Sequence, residues 1–348
     1  MKTESLLGDP VFQLNLLLWM AKEQPADEYR VNPLFHKLGF KIRFIEDPFN
    51  FPETERVAAT ASGLSISTDP EPELILGRGV DGAALYIEAK KDSFGTQSSN
   101  CKQARGHLLA TGPAFAEVLA PLKECLLCYV LPADKCQLMA KTLQDLAAQL
   151  ISKTLRPGRH SVTGLALSTG SIVYSWDAAF RAHTGMAEDF AVLMTDVDDE
   201  TDPSPLILVF TDEDSYNPMM TWFYRRAMLE QVRACLLCSL HNWEVGQPYQ
   251  TSLQALLVKT TDNIFKYLGH KRQTNLIRLV RENLFKRIAE HWKDKQAGMV
   301  DLSGEVFTVT WKLTGQKDEF LDWLEDRRVT FAGDKPQPEE PLLFDDSD

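Results

Sequence analysis

The chain has 348 residues, 44% hydrophobic and 25% charged, enough to bury a sizeable core and to form two domains. Its formal net charge of −12 excludes a protein that coats nucleic acid with its whole surface. Six Cys are too few for a disulfide framework, so reduced thiols and a cytoplasmic location are expected.

In chain order, Asp9 as N-cap and Pro10 in the first turn predict an amphipathic helix over 10–23. Its apolar run is too short and too broken to span a bilayer, so no membrane partner is expected. "NPLFHKLGFKIRFIE" predicts a short helix, a stop at Gly39 and a strand over 41–45. "FNFPETERVAATASG" reads as a loop with some extended structure. Residues 73–90, "ELILGRGVDGAALYIEAK", place two β-rich runs around a Gly-rich turn and predict a hairpin. A helix starts in "SSNCKQARGHLLATG". "ECLLCYVLP" is a buried strand by its continuous apolar run, and "ADKCQLMAKTLQDLAAQLISK" is a helix. That order predicts an α+β fold, a mixed sheet covered by helices.

The segment "TLRPGRHS" at 154–161 reads as a domain boundary. Beyond it come a hairpin turning at Thr169 and Gly170, strands in "FAVLMT" and "LILVF", and helices near 217–240, 250–268 and 273–293. The strand "EVFTVTWKL" and a last helix over 317–328 follow. The expected organisation is therefore a first domain over 1–153, a second α+β domain over 160–330, and a flexible acidic tail over 333–348. The apolar Leu342–Leu343–Phe344 in that tail reads equally as a partner-binding peptide and as a segment docking on its own chain.

Glu88 and Lys90 raise the sharpest question. They lie two apart on one face of the second hairpin strand, about 6–7 Å from each other along it. If Gly77 pairs with Ala84, antiparallel positions sum to 161 and Glu73 stands opposite Glu88. Two carboxylates about 4.5–5.5 Å apart repel unless a cation lies between them. Mg²⁺ (or Mn²⁺) is the natural candidate, since it takes carboxylates, waters and substrate phosphate. Lys90 would sit beside it, placed to orient an attacking water or to stabilise charge developing on phosphorus. A slip of one residue would turn Glu73 to the other face. The bland alternative is a half-exposed strand carrying a Glu–Lys pair of little energetic value.

"PE" at Pro72–Glu73, a hairpin, "EAK" at 88–90 and "CKQARGHLL" downstream resemble the PD-(D/E)XK nuclease superfamily over roughly residues 10–150. The resemblance implies a restriction-endonuclease-like mixed sheet flanked by helices. It implies Glu73 and Glu88 as metal ligands, Lys90 as the catalytic lysine and Gln103 as a further site residue that positions. The superfamily's usual Asp is Glu73 here, so Asp69, Glu71 and Asp81 stay open as substitutes, and Glu23 or Glu28 as a first-helix acid. The activity implied is metal-dependent cleavage of nucleic acid, DNA in preference to RNA, with prokaryotic restriction or antiviral defence as a setting. The alternative is a catalytically inactive nuclease-fold subunit that binds or assembles with a protein partner or a second copy.

Charge elsewhere is uneven. Residues 187–214 hold ten Asp or Glu and no Lys or Arg, whereas 266–295 hold nine Lys or Arg against Glu282, Glu290 and Asp294. Lys271, Arg272, Arg278, Arg281, Lys286 and Arg287 are candidate phosphate contacts; equally, they form the solvated face of a helix whose Ile277, Val280, Leu284 and Ile288 pack inward. The repeated CLLC at 125–128 and 235–238 reads as core filling rather than a zinc site. The acidic loop lacks calcium-loop spacing, no phosphate-binding glycine motif is present, and His107 falls one helical turn after Gln103.

Overall fold

A computed structural model of the chain describes residues 3–25, 30–198, 201–210 and 218–326. The chain divides into two units. The first is Met1–Leu206 with Tyr267–His270, and the second is Ile207–Lys266 with Lys271–Asp348.

In the first unit, α1 (Thr3–Leu7) and α2 (Pro10–Ala21) lead in. Asp9 caps α2 by accepting from the backbone N–H of Val11 at 3.0 Å and of Phe12 at 3.3 Å. The helix is not amphipathic as predicted: every residue from Phe12 to Ala21 is buried. The side-chain N–H groups of its polar members are bonded, while Gln13 Oε1 has no hydrogen-bond partner among the described residues. Gln13 Nε2 donates to the Leu7 carbonyl at 2.6 Å and to the Lys90 carbonyl at 3.3 Å, and Asn15 Nδ2 donates to Val11 at 2.8 Å.

After α3 (Leu34–Lys37), Gly39 at φ 80° turns the chain into β1 (Phe40–Ile45). The segment read as a loop contains α4 (Glu53–Ala61). β2 (Leu74–Arg78) and β3 (Ala83–Ala89) form the hairpin in the expected register, Gly77 opposite Ala84 and Leu74 opposite Ile87. α5 (Cys101–Ala110) and α6 (Ala114–Val118) cross over to β4 (Glu124–Pro132), which runs parallel to β3. α7 (Cys136–Ser152) then crosses over to β5 (Arg159–Ser168), parallel to β4. β6 (Ser171–Ser175), α8 (Ala178–Thr184) and β7 (Phe190–Met194) complete a seven-stranded mixed sheet of order β1 to β7. The β5–β6 hairpin turns at Thr169 (φ 48°) and Gly170 (φ 72°), as read from the sequence.

This overturns the boundary at 154–161 and with it the domains over 1–153 and 160–330. "TLRPG" is the short connection by which a parallel crossover returns to its sheet, and β5 pairs with β4 from Arg159 to Leu165. Pro and Gly mark that turn as readily as they mark a linker. The stretch "LILVF" is likewise not a strand. Ser204–Leu206 is a single 3₁₀ turn, and Ile207–Phe210 is buried without regular structure.

One face of the sheet carries Ala84, Tyr86, Leu127, Tyr129 and Leu131 into a core shared with Ala104 and Leu108 of α5 and Leu143 of α7. Alternation at period two explains the choice of residues. The continuous apolar run of β4 reflects burial on both faces. The fold is thus the expected α+β type.

The second unit pairs a three-stranded antiparallel sheet, β8 (Tyr249–Ser252), β10 (Val306–Val309) and β9 (Val300–Ser303) in that order, with helices. These are α9 (Pro218–His241), α10 (Leu253–Thr260), α11 (His270–Val280), α12 (Lys286–Lys295) and α13 (Thr314–Glu325). A π-helical turn, Arg281–Phe285, joins α11 to α12. Trp292, Trp311, Phe285, Phe307 and Phe320 are fully buried there. The tail over 333–348 and Glu28 lie outside the described residues.

Candidate functional site

β3 is buried along its whole length, Glu88 included, at 1% exposure. An isolated carboxylate there would cost several kcal/mol, so its partners decide its state. Lys90, just past the end of β3, places Nζ 2.6 Å from Oε1 of Glu88 while keeping 23% of its side chain exposed. Its backbone is fixed from two sides: its N–H donates to Val130 at 2.9 Å, and its carbonyl accepts from Gln13 of α2.

On the other side of the carboxylate stands His107 of α5, fully buried, with Nε2 3.5 Å from Oε2 of Glu88. Nδ1 of the same ring lies 2.8 Å from the Tyr86 hydroxyl. Burial acts to raise the Glu88 pKa, but the neighbouring His107 ring and Lys90 amine outweigh it and hold the carboxyl below its ordinary value. The Tyr86 and Tyr129 hydroxyls are pushed up, first by burial and then by the Glu88 charge, so both stay protonated at neutral pH.

A loop closes the site from above the helix. Ser67 N–H donates to the Lys102 carbonyl at 3.0 Å. Gly106 permits the contact, since a Cβ there would stand 2.7 Å from the Ser67 carbonyl oxygen. That packing brings Pro70 to 3.4 Å from the Tyr86 hydroxyl. The chain then enters β2 through half-buried Glu73. Glu73 lies one step beyond the Leu74–Ile87 pair, and continuing the register sets it opposite Glu88. Glu46, one step past β1 and at φ 50°, donates its N–H to the Glu73 carbonyl at 3.2 Å. Glu46 and Glu73 therefore sit just outside the same end of β1 and β2, next to the strand end where Glu88 is the penultimate residue of β3. The sequence reading missed Glu46, because the β-bulge between Ile42 and Phe44 hides its register. It also underrated His107, whose helical offset from Gln103 was the available signal.

The remaining candidates separate clearly. Gln103 is half-buried one turn before His107, and no hydrogen bond joins it to Glu88 or Lys90. Asp81 is at the far end of the hairpin, bound to Arg78 at 2.7 Å and to the Ala83 N–H at 3.1 Å, so it is no substitute for Glu73. Asp69 is exposed beside Thr68, whereas exposed Glu71 is close enough for its charge to act on Tyr86. Glu23 follows the C-terminal end of α2, whose opposite end reaches Lys90 through Gln13. About 12 Å of helix rise, from Gln13 to Ala21, and two further residues separate the two, so Glu23 is not the first-helix acid of this site.

Of the basic residues, Lys271 and Arg278 of α11 are exposed and Arg272 is half-buried. Arg281 donates to the Gly304 carbonyl at 2.9 Å and to Glu282 at 2.6 Å, and Lys286 pairs with the same Glu282. Arg287 is half-buried with Nη1 unbonded. Val280, Leu284 and Ile288 face inward as predicted, but Ile277 is only half-buried, because the π turn resets the helical phase. Burial pushes the thiols of Cys125 and Cys128 up, consistent with core filling, but in the second CLLC Cys235 is half-buried and Cys238 exposed, so those thiols do not fill the core as predicted.

The donor set suits a hard divalent cation. Glu88 presents Oε1 on the side of partly exposed Lys90, and half-buried Glu73 lies one step past the last β2–β3 pair. No cluster of three ligating side chains occurs among the described residues. Mg²⁺ nevertheless needs only one or two carboxylates beside waters and phosphate. No helix among the described residues is long and apolar enough to cross a membrane. Comparison with family models, characterised proteins and solved structures finds no match to this chain.

Proposed function

We propose that the protein is a metal-dependent nuclease of the PD-(D/E)XK type, hydrolysing phosphodiester bonds of DNA with Mg²⁺ or Mn²⁺. The observation that carries this reading is the hairpin register. Its last pair is Leu74–Ile87, and continued by one step it would set Glu73 opposite Glu88, beside the Lys90 amine that touches the carboxylate. Glu73 and Glu88 would hold the cation, which supplies Lewis-acid polarisation of the phosphate and a more acidic bound water. Lys90, tethered at 2.6 Å and reaching solvent, brings a positive charge to where charge develops on the phosphate oxygens. The exposed basic residues Lys271 and Arg278, with Arg272, Arg281, Lys286 and Arg287, are proposed as backbone-phosphate contacts. A setting in prokaryotic restriction or antiviral defence follows from the resemblance alone.

A second reading has its own support. Glu88 is sealed at 1% exposure between Lys90 and His107, which suits a structural ion pair in a nuclease-fold subunit that binds a protein partner without cutting. One experiment separates the two. Plasmid DNA is incubated with the protein in Mg²⁺ or Mn²⁺, with and without EDTA, alongside Glu88→Gln. Cleavage that EDTA and the substitution both stop supports the nuclease. No cleavage with a folded protein leaves the binding subunit, and cleavage that persists in EDTA overturns both readings.

A further inference from the structure

The two oxygens of Glu88 have different surroundings. Oε1 meets the partly exposed amine of Lys90. Oε2 is buried against His107 Nε2, and among the described residues neither of these two atoms has a completed hydrogen bond. Their 3.5 Å separation is a few tenths of an ångström too long for one. Such contacts are often long in the resting protein and shorten when the site is filled.

The ring that carries Nε2 is fixed from behind. Pro70 already accepts the Phe49 N–H at 2.9 Å, so the 2.8 Å contact to His107 Nδ1 is the better acceptor for the Tyr86 hydroxyl hydrogen. A hydrogen donated to Nδ1 leaves the other hydrogen of the neutral ring on Nε2, facing a carboxylate that can only accept. The edges of Tyr86 and Tyr129 hold the ring plane, with centroids 5.3 and 6.3 Å away. A histidine set by a hydroxyl and aimed at a carboxylate is more than core filling. It selects which oxygen of Glu88 remains for the open side.

We propose that His107 is a positioning residue. Its imidazole, set by the Tyr86 hydroxyl, holds Oε2 of Glu88 and leaves Oε1 directed towards Lys90 and the cation. The consequence for metal binding rests on the nuclease reading; the tether itself does not. Outer partners that orient a metal-ligating carboxylate change metal affinity by about 10–100-fold when removed.

The test uses the intact chain and Tyr86→Phe, which keeps the ring packing and removes only the hydroxyl, with His107→Gln and His107→Leu beside it. Nitrogen-15 NMR of the His107 ring without metal reads the tether: a single tautomer with hydrogen on Nε2 is expected, becoming mixed in Tyr86→Phe. Calorimetric Mn²⁺ titration reads the consequence. Affinity about 10–100-fold weaker is expected in Tyr86→Phe and His107→Leu, with partial recovery in His107→Gln, which restores a donor. A wild-type ring lacking hydrogen on Nε2, or already mixed, overturns the proposal. So do variants that lower the melting temperature yet bind Mn²⁺ as the wild type does. A wild type with the fixed ring but neither Mn²⁺ binding nor cleavage sinks the nuclease reading while confirming the tether.

Discussion

The β2–β3 hairpin carries an ion pair at each end, and the two are built in opposite senses. At the turn, Arg78 is largely covered at 15% exposure and Asp81 is open at 47%. Arg78 also donates to the Thr184 and His183 carbonyls at 3.0 and 3.3 Å, and Asp81 accepts the Ala83 N–H. Nearly every bonding direction is used, which is how a fastening looks. At the other end the acid is sealed at 1% and the base reaches water at 23%. One oxygen of that acid lacks a completed bond. Burying the acid while exposing the amine costs desolvation that a fastening would avoid. The strand end keeps the carboxylate inside and the amine partly in solvent, the reverse of the turn.

The largest effect expected is at Glu88. Glu88→Gln should abolish Mg²⁺-dependent cleavage, since it keeps the shape and removes the charge. It should also lower stability by about 2–3 kcal/mol, somewhat below the loss typical of a fully buried pair because Lys90 can rehydrate. The folded carboxyl is held below its ordinary value of 4.5. Its ionised form therefore favours the fold, fully above about pH 4.5, and that contribution is lost as pH falls through the lowered folded value. Melting curves of wild type and variant should differ most above pH 4.5 and converge below it. A gap that does not change with pH would mean that Glu88 is not ionised in the fold. Unaltered cleavage in a folded variant would make both ends of the hairpin fastenings.

Lys90→Ala sharpens the same contrast. If the exposed amine acts on the transition state, turnover should fall about 10²–10³-fold with DNA affinity nearly kept. Single-turnover rates and binding isotherms on one oligonucleotide separate the two quantities. Equal losses in both would make Lys90 a phosphate anchor.

How much of this site could be read in advance follows from where its information lies. Pleating and the Gly-rich turn are local, so the hairpin register from Leu74–Ile87 to Gly77–Ala84 was legible. The identity of β4 was legible too, because "ECLLCYVLP" has no polar interruption. Glu46 was not, since a β-bulge shifts its strand without a Gly or Pro to announce it. The burial of α2 was hidden for a different reason: Gln13 and Asn15 look like an exposed stripe until their backbone partners are seen. The boundary at 154–161 failed because a crossover turn and a domain linker share Pro, Gly and Arg. His107 depended on a helix packing against a strand 21 residues earlier, contact information that no local pattern contains.

The basic residues over 266–295 test whether charge alone, without burial, carries function. Changing Arg278, Arg281 and Lys286 together to Gln would remove up to three phosphate contacts. Glu282 already engages two of these cations, so the slope of log K against log salt should flatten by about 1–2 rather than 3 units. Binding measured between low and moderate salt reads this directly. An unchanged slope would assign this helix to an ordinary solvated face.

The smallest effect belongs to the turn. Asp81→Asn keeps a side-chain oxygen for the Ala83 N–H and removes only the charge that faces Arg78. Arg78 retains the Thr184 and His183 carbonyls, and Asp81 is open enough for water to replace what is lost. The melting temperature should drop by about 2 °C or less, with cleavage and Mn²⁺ affinity as in the wild type. Were this substitution to impair cleavage as strongly as Lys90→Ala, the opposite construction of the two ends would carry no functional meaning. The whole hairpin would then act as one cooperative unit whose distortion reaches Glu88 from seven residues away.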